Sequence, residues 1–110
     1  MRRAILFFVL IFAGGVATSA FADQSEYTIV IKDHQFSPEE LTVPKNQKIK
    51  LIIENQDSTA EEFESYDLNR EKIVDGNQKI TVFIGPLNPG TYEYFGEFHQ
   101  ETAHGTIIVN

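Results

Sequence analysis

The sequence predicts an all-β domain, a β-sandwich or barrel. Runs of β-branched and aromatic residues alternate with polar residues, and segments rich in proline, glycine and asparagine separate them. These runs predict roughly six to eight short strands within about 90 residues, a spacing typical of sandwiches and barrels. Evidence for helices is weak: residues 61–72, "EEFESYDLNREK", include helix-forming residues but have no sustained apolar stripe with the 3.6-residue period of a helix.

The first half of this domain contains three predicted strands. Residues 27–32, "YTIVIK", form a β-branched and aromatic run, and residues 41–43 form a short extended piece between two prolines. The segment "PKNQ" predicts a turn in which Asn46 takes a left-handed conformation. Residues 48–54, "KIKLIIE", alternate, and Ile49, Leu51 and Ile53 are expected on one face.

The second half continues with extended segments and tight turns. Residues 62–68 are expected to be extended, and a turn is expected at Asp75–Gly76. A strong strand is predicted over residues 79–87, and the turn "NPG" leads into the next one over residues 91–95. The closing strand is predicted over residues 106–110, "TIIVN".

The amino terminus has the pattern of an export signal. Arg2 and Arg3 precede the apolar run Ala4–Ala13, and "AFA" then ends at Ala22 in the small-x-small form that signal peptidase cleaves. The sequence therefore predicts a signal peptide over residues 1–22, cleavage after Ala22, and a periplasmic domain over residues 23–110. An uncleaved amino-terminal anchor is the alternative interpretation.

Charge and cysteine content narrow the chemistry. Removal of residues 1–22 takes away two positive charges and no negative charge, which changes the formal net charge from −7 to −9. Such acidity disfavours nucleic acid and anionic lipid and suits cations or a basic partner, although it could also serve solubility alone. The chain has no cysteine, which excludes disulfides, thiol redox chemistry, iron–sulfur clusters, cysteine-type zinc sites and blue copper.

A group of glutamates stands where a loop meets a predicted strand, in "AEEFES". If Phe63 points inward on an extended segment, Glu61 points inward with it, and Glu62 and Glu64 point to the opposite face. An inward carboxylate needs a partner, because a lone buried charge is too costly. The partner would be a cation or a basic residue of "LNREK"; the alternative is a solvated acidic face.

Two histidines lie on the polar segment "GEFHQETAHG", residues 96–105. His99 and His104 can offer imidazole nitrogens, and Glu97 and Glu101 can offer oxygens. Such a set suits Cu(II), iron, zinc or manganese rather than Cu(I). A solvated polar loop is the alternative for this segment. His34, in "KDHQF", is interpreted as a surface or packing histidine.

The same segment resembles the closing loop of the cupredoxin family, Cys-x-x-His-x-x-x-x-Met. In this register the histidine of the motif falls on His99, the cysteine on Gly96 and the methionine on His104. An earlier cupredoxin loop, Asn-x-Asp-x-x-x-His-x-Phe, resembles "NQDSTAEEF", with Glu61 in the place of the histidine. The resemblance implies a Greek-key β-sandwich in which His99 is retained among the usual copper ligands.

The motifs "EEFES", "LNREK", "GPLNPG" and "GEFH" look like those of small exported cupredoxin-like proteins that lack the cysteine. That resemblance implies a role in ferrous-iron uptake, beside a periplasmic iron-binding protein and an inner-membrane Ftr-type permease. It implies a copper or iron ion bound through His99, Glu61 and Glu97, with His104 and Glu62 as second choices. Carboxylate in place of thiolate favours harder ions such as Cu(II) or Fe(III).

Three functions remain open from the sequence. The leading expectation is a periplasmic metal-binding protein that supports oxidation or handover of ferrous iron. Its rival among enzymes is a ferroxidase that turns over Fe(II) with bound copper. Its rival among interaction proteins is a metal-free β-sandwich that docks an iron permease or an iron-binding partner through its acidic face.

Overall fold

A computed structural model describes residues 25–110, so the predicted signal peptide and its cleavage after Ala22 lie outside the described residues. Within this range the chain forms nine strands and one turn of 3₁₀ helix, Glu97–His99. The strands, in chain order, are β1 Ser25–Lys32, β2 Gln35–Ser37, β3 Glu40–Val43, β4 Ile49–Asn55, β5 Glu61–Ser65, β6 Arg70–Val74, β7 Lys79–Ile84, β8 Gly90–Gly96 and β9 His104–Val109.

The strands form two mixed sheets, which confirms the predicted all-β sandwich. The first sheet has the order β2-β1-β4-β7 and the second has the order β3-β9-β8-β5-β6. Strands β1 and β4 pair in parallel, as do β3 and β9, and the other neighbours pair antiparallel. Across residues 25–110, no helix has the length and apolar character needed to cross a membrane.

The core lies between the sheets and is built from the predicted alternation. Ile49, Leu51 and Ile53 of β4 are all fully buried, while the residues between them are partly exposed. Three aromatic rings from different strands pack edge-to-face or tilted at centroid distances of 5.0–6.3 Å. They belong to Phe36, Phe63 and Tyr94.

A turn lies at each end of strand β4. Asn46 takes the predicted left-handed conformation, with φ of 58°, in the turn that precedes β4. At the other end of the strand, the turn at Gly76 packs so tightly that a Cβ there would lie 2.1 Å from the Ser58 carbonyl oxygen. Asn77 also donates its backbone N–H to the Asp57 carbonyl oxygen at 2.8 Å. Residues 57–58 are therefore fixed against the β6–β7 turn.

The sequence does not predict strand β6, because its residues do not alternate between polar and apolar and only the last of them, Val74, is buried. It lies at the edge of the second sheet and contacts edge strand β7 of the first sheet. Arg70 Nε donates to the Phe83 carbonyl oxygen at 2.8 Å, and Lys72 Nζ donates to the Thr81 carbonyl oxygen at 3.2 Å. Two cationic side chains thus fasten one sheet to the other.

Candidate metal centre

Strand β5 turns the Glu61 side chain into the molecule, as the alternation predicts. Glu61 is 1 % exposed, and Phe63 and Ser65 on the same face are also buried. A carboxylate in this position must be compensated, because burying an isolated charge costs several kcal/mol or more. The compensation comes from hydrogen-bond donors and not from Arg70 or Lys72, whose side chains bind carbonyl groups elsewhere.

Three donors surround the Glu61 carboxylate. Its Oε2 accepts the backbone N–H of Phe98 at 2.8 Å and that of Glu62 at 3.1 Å. Its Oε1 lies 2.6 Å from His99 Nδ1, which donates when that nitrogen carries the proton. Hydrogen bonds of this charge-assisted kind hold a carboxylate in one orientation. The group is therefore oriented before any metal ion arrives.

His99 is presented by the 3₁₀ turn that follows β8. Its carbonyl oxygen accepts the backbone N–H of Ala103 at 2.8 Å, which closes the loop over the turn. The side chain is 30 % exposed, so one edge of the imidazole ring reaches solvent while Nδ1 faces Glu61. Its ring stacks on that of His34, with centroids 3.6 Å apart and planes 12° apart.

His34 reaches this position from the β1–β2 turn, where it has a positive φ of 59°. The backbone N–H groups of Asp33 and His34 donate to the two carboxylate oxygens of Asp57, at 2.8 and 3.0 Å. Partial burial tends to raise the pKa of Asp57, but these two backbone hydrogen bonds lower it below its ordinary value. Thr102 also donates its hydroxyl to the His34 carbonyl oxygen. The turn is thus tied both to the loop after β4 and to the loop before β9.

The parallel pairing of β1 with β4 explains why these loops meet. The register pairs Ile31 with Asn55, so the carboxyl ends of both strands lie at the same end of the first sheet. Asn55 is buried, donates through Nδ2 to the Thr59 carbonyl oxygen at 2.9 Å, and accepts the Asp57 N–H at 3.0 Å. The Asn-x-Asp part of the sequence motif therefore shapes the loop that positions His34 and Glu61.

His34, Glu61 and His99 form a set that we call the His–Glu site. One ligand atom from each lies within 4.8 Å of the other two. Two imidazoles and one carboxylate suit Cu(II), zinc or iron, and they lack the sulfur that Cu(I) prefers. The sequence interpretation of His34 as a surface or packing residue misses this placement. The position of His34 in the turn after β1 would have predicted its place in the site, but only if the parallel pairing of β1 with β4 had been known.

Glu97 and Glu62 lie in a different set on the outer face of the second sheet. Their carboxylate oxygens and those of Glu64 lie within 4.8 Å of one another. Strand pairing places Glu71 opposite Glu64, so we define the carboxylate cluster as Glu62, Glu64, Glu71 and Glu97. A hydrogen bond with Glu71, together with burial and neighbouring charges, raises the pKa of Glu62 to about 7. Burial, followed by the charges of its neighbours, also raises the pKa of Glu64.

His104 lies in neither set. It is the first residue of β9, pairs with Phe95 and is exposed. It lines a cleft of about 500 Å³ together with Glu39 and Glu93, on β9 and its neighbours rather than on the loops of the His–Glu site. A second cleft of about 510 Å³ lies over the His–Glu site, and its lining includes Phe98, which is 48 % exposed.

Comparison with known proteins agrees with this architecture. The family model described as "Cupredoxin-like domain" matches residues 4–109. The protein RP394 of Rickettsia prowazekii (strain Madrid E) is 59% identical over 85 residues, which cover 77% of this chain and 68% of that protein.

Solved structures show the same fold at low sequence identity. Auracyanin A, a "blue" copper protein of Chloroflexus aurantiacus, matches with a TM-score of 0.68 and 16% identity, over 79% of this chain and 99% of that one. A purple cupredoxin of Nitrosopumilus maritimus matches with a TM-score of 0.59 and 19% identity, over 76% of this chain and 99% of that one. The family model matches most of the chain and the two mixed sheets agree with it, so the chain belongs to the cupredoxin-like domain family.

Proposed function

We propose that this protein is an exported, periplasmic metal-binding cupredoxin that supports the oxidation or handover of ferrous iron during iron uptake. The observation that carries the proposal is the buried Glu61 carboxylate, held by two backbone N–H groups and in contact with His99. The partners are a periplasmic iron-binding protein and an inner-membrane iron permease, to which the acidic surface would present the ion.

The donor set of the His–Glu site favours Cu(II) or iron. His34 and His99 offer nitrogen and Glu61 offers oxygen, so the site stabilises the harder, more highly charged state of a redox metal. When bound there, copper would supply one-electron transfer between Fe(II) and a final acceptor, which would be dioxygen or a redox protein. Carboxylate ligands that prefer Fe(III) to Fe(II) would make that oxidation thermodynamically easier. The chain contributes a fixed carboxylate, two imidazoles and a loop structure that holds them.

The carboxylate cluster is the proposed binding place of the iron cargo. Carboxylate oxygen is a hard ligand that suits iron ions. Glu64 is 9 % exposed, and no lysine, arginine or histidine within residues 25–110 forms an ion pair with any of the four carboxylates. The hydrogen bond with Glu71, then burial, and then repulsion from the neighbouring carboxylates raise the pKa of Glu62. A bound cation would relieve that repulsion.

The two sets are adjacent along the chain. Glu61 and Glu62 are consecutive on β5 and point to opposite faces, and Glu97 and His99 share the 3₁₀ turn. Residues that would hold the iron ion are therefore sequence neighbours of Glu61 and His99, the two partners of the His–Glu contact. This arrangement supports a function in which one set holds a resident metal and the other holds cargo.

Metal titration followed by spectroscopy tests the proposal. The purified protein is titrated by calorimetry with Cu(II), with Fe(III), and with Fe(II) under anaerobic conditions. We expect a pale Cu(II) complex whose EPR spectrum shows nitrogen and oxygen ligands. Glu61→Gln should weaken Cu(II) binding, while its neighbour Glu62→Gln, the matched control, should leave that binding unchanged.

Oxygen consumption on addition of Fe(II) to the copper-loaded protein then separates a ferroxidase from a carrier. Turnover over many equivalents indicates the enzyme, and a single equivalent indicates handover. No binding of any of these ions to correctly folded protein would overturn the metal proposal. The metal-free docking module would then be the better account.

A further inference from the structure

Gly96 is the residue at the position of the cupredoxin cysteine, and its backbone does not require glycine. It has φ of −95° and ψ of 113°, an extended conformation that any amino acid adopts. It is the last residue of β8, pairs with Phe63 of β5 and donates its N–H to the Ala103 carbonyl oxygen at 2.8 Å. The reason for a glycine must therefore be space.

The space beside Gly96 is filled by Glu61. A Cβ built on Gly96 would lie 2.7 Å from Glu61 Cδ and 2.8 Å from Glu61 Oε2. Real Cβ atoms do not approach other heavy atoms this closely. The carboxylate cannot easily move aside, because Oε2 is the atom that accepts the N–H groups of Phe98 and Glu62. A side chain at position 96 and the present Glu61 position exclude each other.

We propose that Gly96 is the specificity-determining residue of the His–Glu site: by having no side chain, it leaves room for the Glu61 carboxylate and so makes the centre an oxygen-ligand site. This inference rests on the proposed function for its meaning in metal binding. Residues 61 and 96 act as a pair: the Glu61 carboxylate in its present position requires a residue without a Cβ at position 96. Gly96 is a positioning residue and does not itself bind metal.

The competing explanation is that Gly96 serves Ala103. A Cβ at position 96 would also lie 2.8 Å from Ala103 Cβ, and Ala103 is fully buried. The two explanations differ in which second change relieves a methyl group at position 96. If Glu61 sets the requirement, shortening Glu61 relieves it; if Ala103 sets it, removing the Ala103 methyl group relieves it.

A double-mutant cycle without metal makes this distinction. Gly96→Ala is combined with Glu61→Ala in one series and with Ala103→Gly in the other, and Tm is measured for each protein. We expect Gly96→Ala alone to lower Tm by more than about 5 °C, and to cost clearly less in the Glu61→Ala background. If Gly96→Ala prevents folding, recovery of the folded protein by Glu61→Ala is the expected result. Relief by Ala103→Gly only, or by neither change, would overturn the proposal.

Two further measurements address position and ligand chemistry. Hydrogen exchange of the Phe98 amide should become faster in Gly96→Ala than in the parent protein, because Glu61 Oε2 no longer accepts it. Cu(II) affinity should fall on the order of 10-fold or more in the same variant. Since the Tm and exchange measurements use no metal, failure of the parent protein to bind Cu(II) would count against the proposed function and leave the pairing of residues 61 and 96 separately measured.

The reverse design gives a visible readout. The double variant Glu61→His/Gly96→Cys restores the two cupredoxin ligands and, by the pairing, removes the carboxylate that blocks position 96. Its Cu(II) complex should show the intense colour of a copper–thiolate bond. Gly96→Cys alone should show much weaker colour, because Glu61 occupies the space that the thiolate needs. Equal colour in the single and double variants would contradict the pairing.

Discussion

The two faces of strand β5 carry the same side chain in opposite circumstances. On the inner face, Glu61 is buried, accepts two backbone N–H groups and contacts His99 at 2.6 Å. On the outer face, Glu62 and Glu64 have other carboxylates as neighbours, and within the described part of the chain no cationic side chain forms an ion pair with them. One carboxylate is satisfied by the protein, and the others are crowded against each other.

This difference shows that position in a strand decides what a glutamate can do. The inner carboxylate has a fixed direction and a fixed partner, which are the requirements for a selective metal ligand. The outer carboxylates lie close together and repel one another. Such a group suits a cation that is bound and then released. Consecutive residues of one short strand thus place their carboxylates in two different environments.

The largest expected effect comes from removing the inner carboxylate. Glu61→Gln keeps the size of the side chain but removes its charge and leaves a mismatch among the three donors around it. We expect Cu(II) affinity to fall on the order of 10-fold or more and stability to fall by about 1–3 kcal/mol. Calorimetric titration and urea unfolding measure these changes, with Glu62→Gln as the control. Parent-like values in Glu61→Gln would remove the distinction between the two faces.

The loss of Cu(II) affinity on replacing a histidine should depend on whether that histidine belongs to the His–Glu site. His99→Ala and His34→Ala should each weaken Cu(II) binding on the order of 10-fold or more, while His104→Ala should change it by less than about twofold. Binding should also weaken in acid, since protons compete with the metal for its ligands. Circular dichroism checks the fold of each variant. Equal losses in His99→Ala and His104→Ala would place the metal elsewhere.

The outer face should bind iron independently of the inner face. The double variant Glu62→Gln/Glu97→Gln removes half of the carboxylate cluster and keeps its shape. We expect Fe(III) and Fe(II) affinity to fall on the order of 10-fold, with Cu(II) affinity unchanged within about twofold. The matched control, Glu39→Gln/Glu93→Gln, removes two charges from the cleft beside His104. If the control weakens iron binding equally, net charge and not the cluster is responsible.

The smallest expected effect is a pH dependence of stability. The pKa of Glu62 is raised to about 7 in the folded protein, from an ordinary value of 4.5, so the folded state holds a proton that the unfolded state releases. Its contribution to stability is present below about pH 4.5 and is lost as pH rises to about 7.

Thermal unfolding between these pH values measures the slope. Tm of the metal-free protein should fall less with rising pH in Glu62→Gln and in Glu71→Gln than in the parent protein. Variants of His34 and His99 are compared in the same series, to separate the contribution of Glu62 from that of the His–Glu site. An unchanged slope in both glutamine variants would show that the outer carboxylates do not share a proton.

Much of the fold could be predicted because its signals are local. The burial of Ile49, Leu51 and Ile53 follows from strict alternation, and the left-handed Asn46 follows from turn chemistry. Strands β2 and β6 carried no such signal, since β6 buries only Val74 and β2 has three residues. They exist because neighbouring strands pair with them, a contribution that no single segment contains.

The site could be predicted only in part, for the same physical reason. The inward direction of Glu61 follows from the period of a strand, and the structure confirms that direction. The meeting of His34 with His99 depends on the parallel pairing of β1 with β4 and on the Asp57 carboxylate that holds the β1–β2 turn. Glu97 lies in the carboxylate cluster, while His99, two residues later, lies in the His–Glu site. This division depends on the 3₁₀ turn that carries both residues, and no sequence pattern predicted that turn.

The fastening of β6 to β7 by Arg70 and Lys72 has a consequence for how molecules of this protein meet each other. A free sheet edge invites a strand from a second molecule, which is a common first step of aggregation. At β7 the carbonyl groups of Thr81 and Phe83 already accept hydrogen bonds from these two cations. An incoming strand would have to displace both side chains. The β7 edge is therefore closed to strand addition by a second molecule.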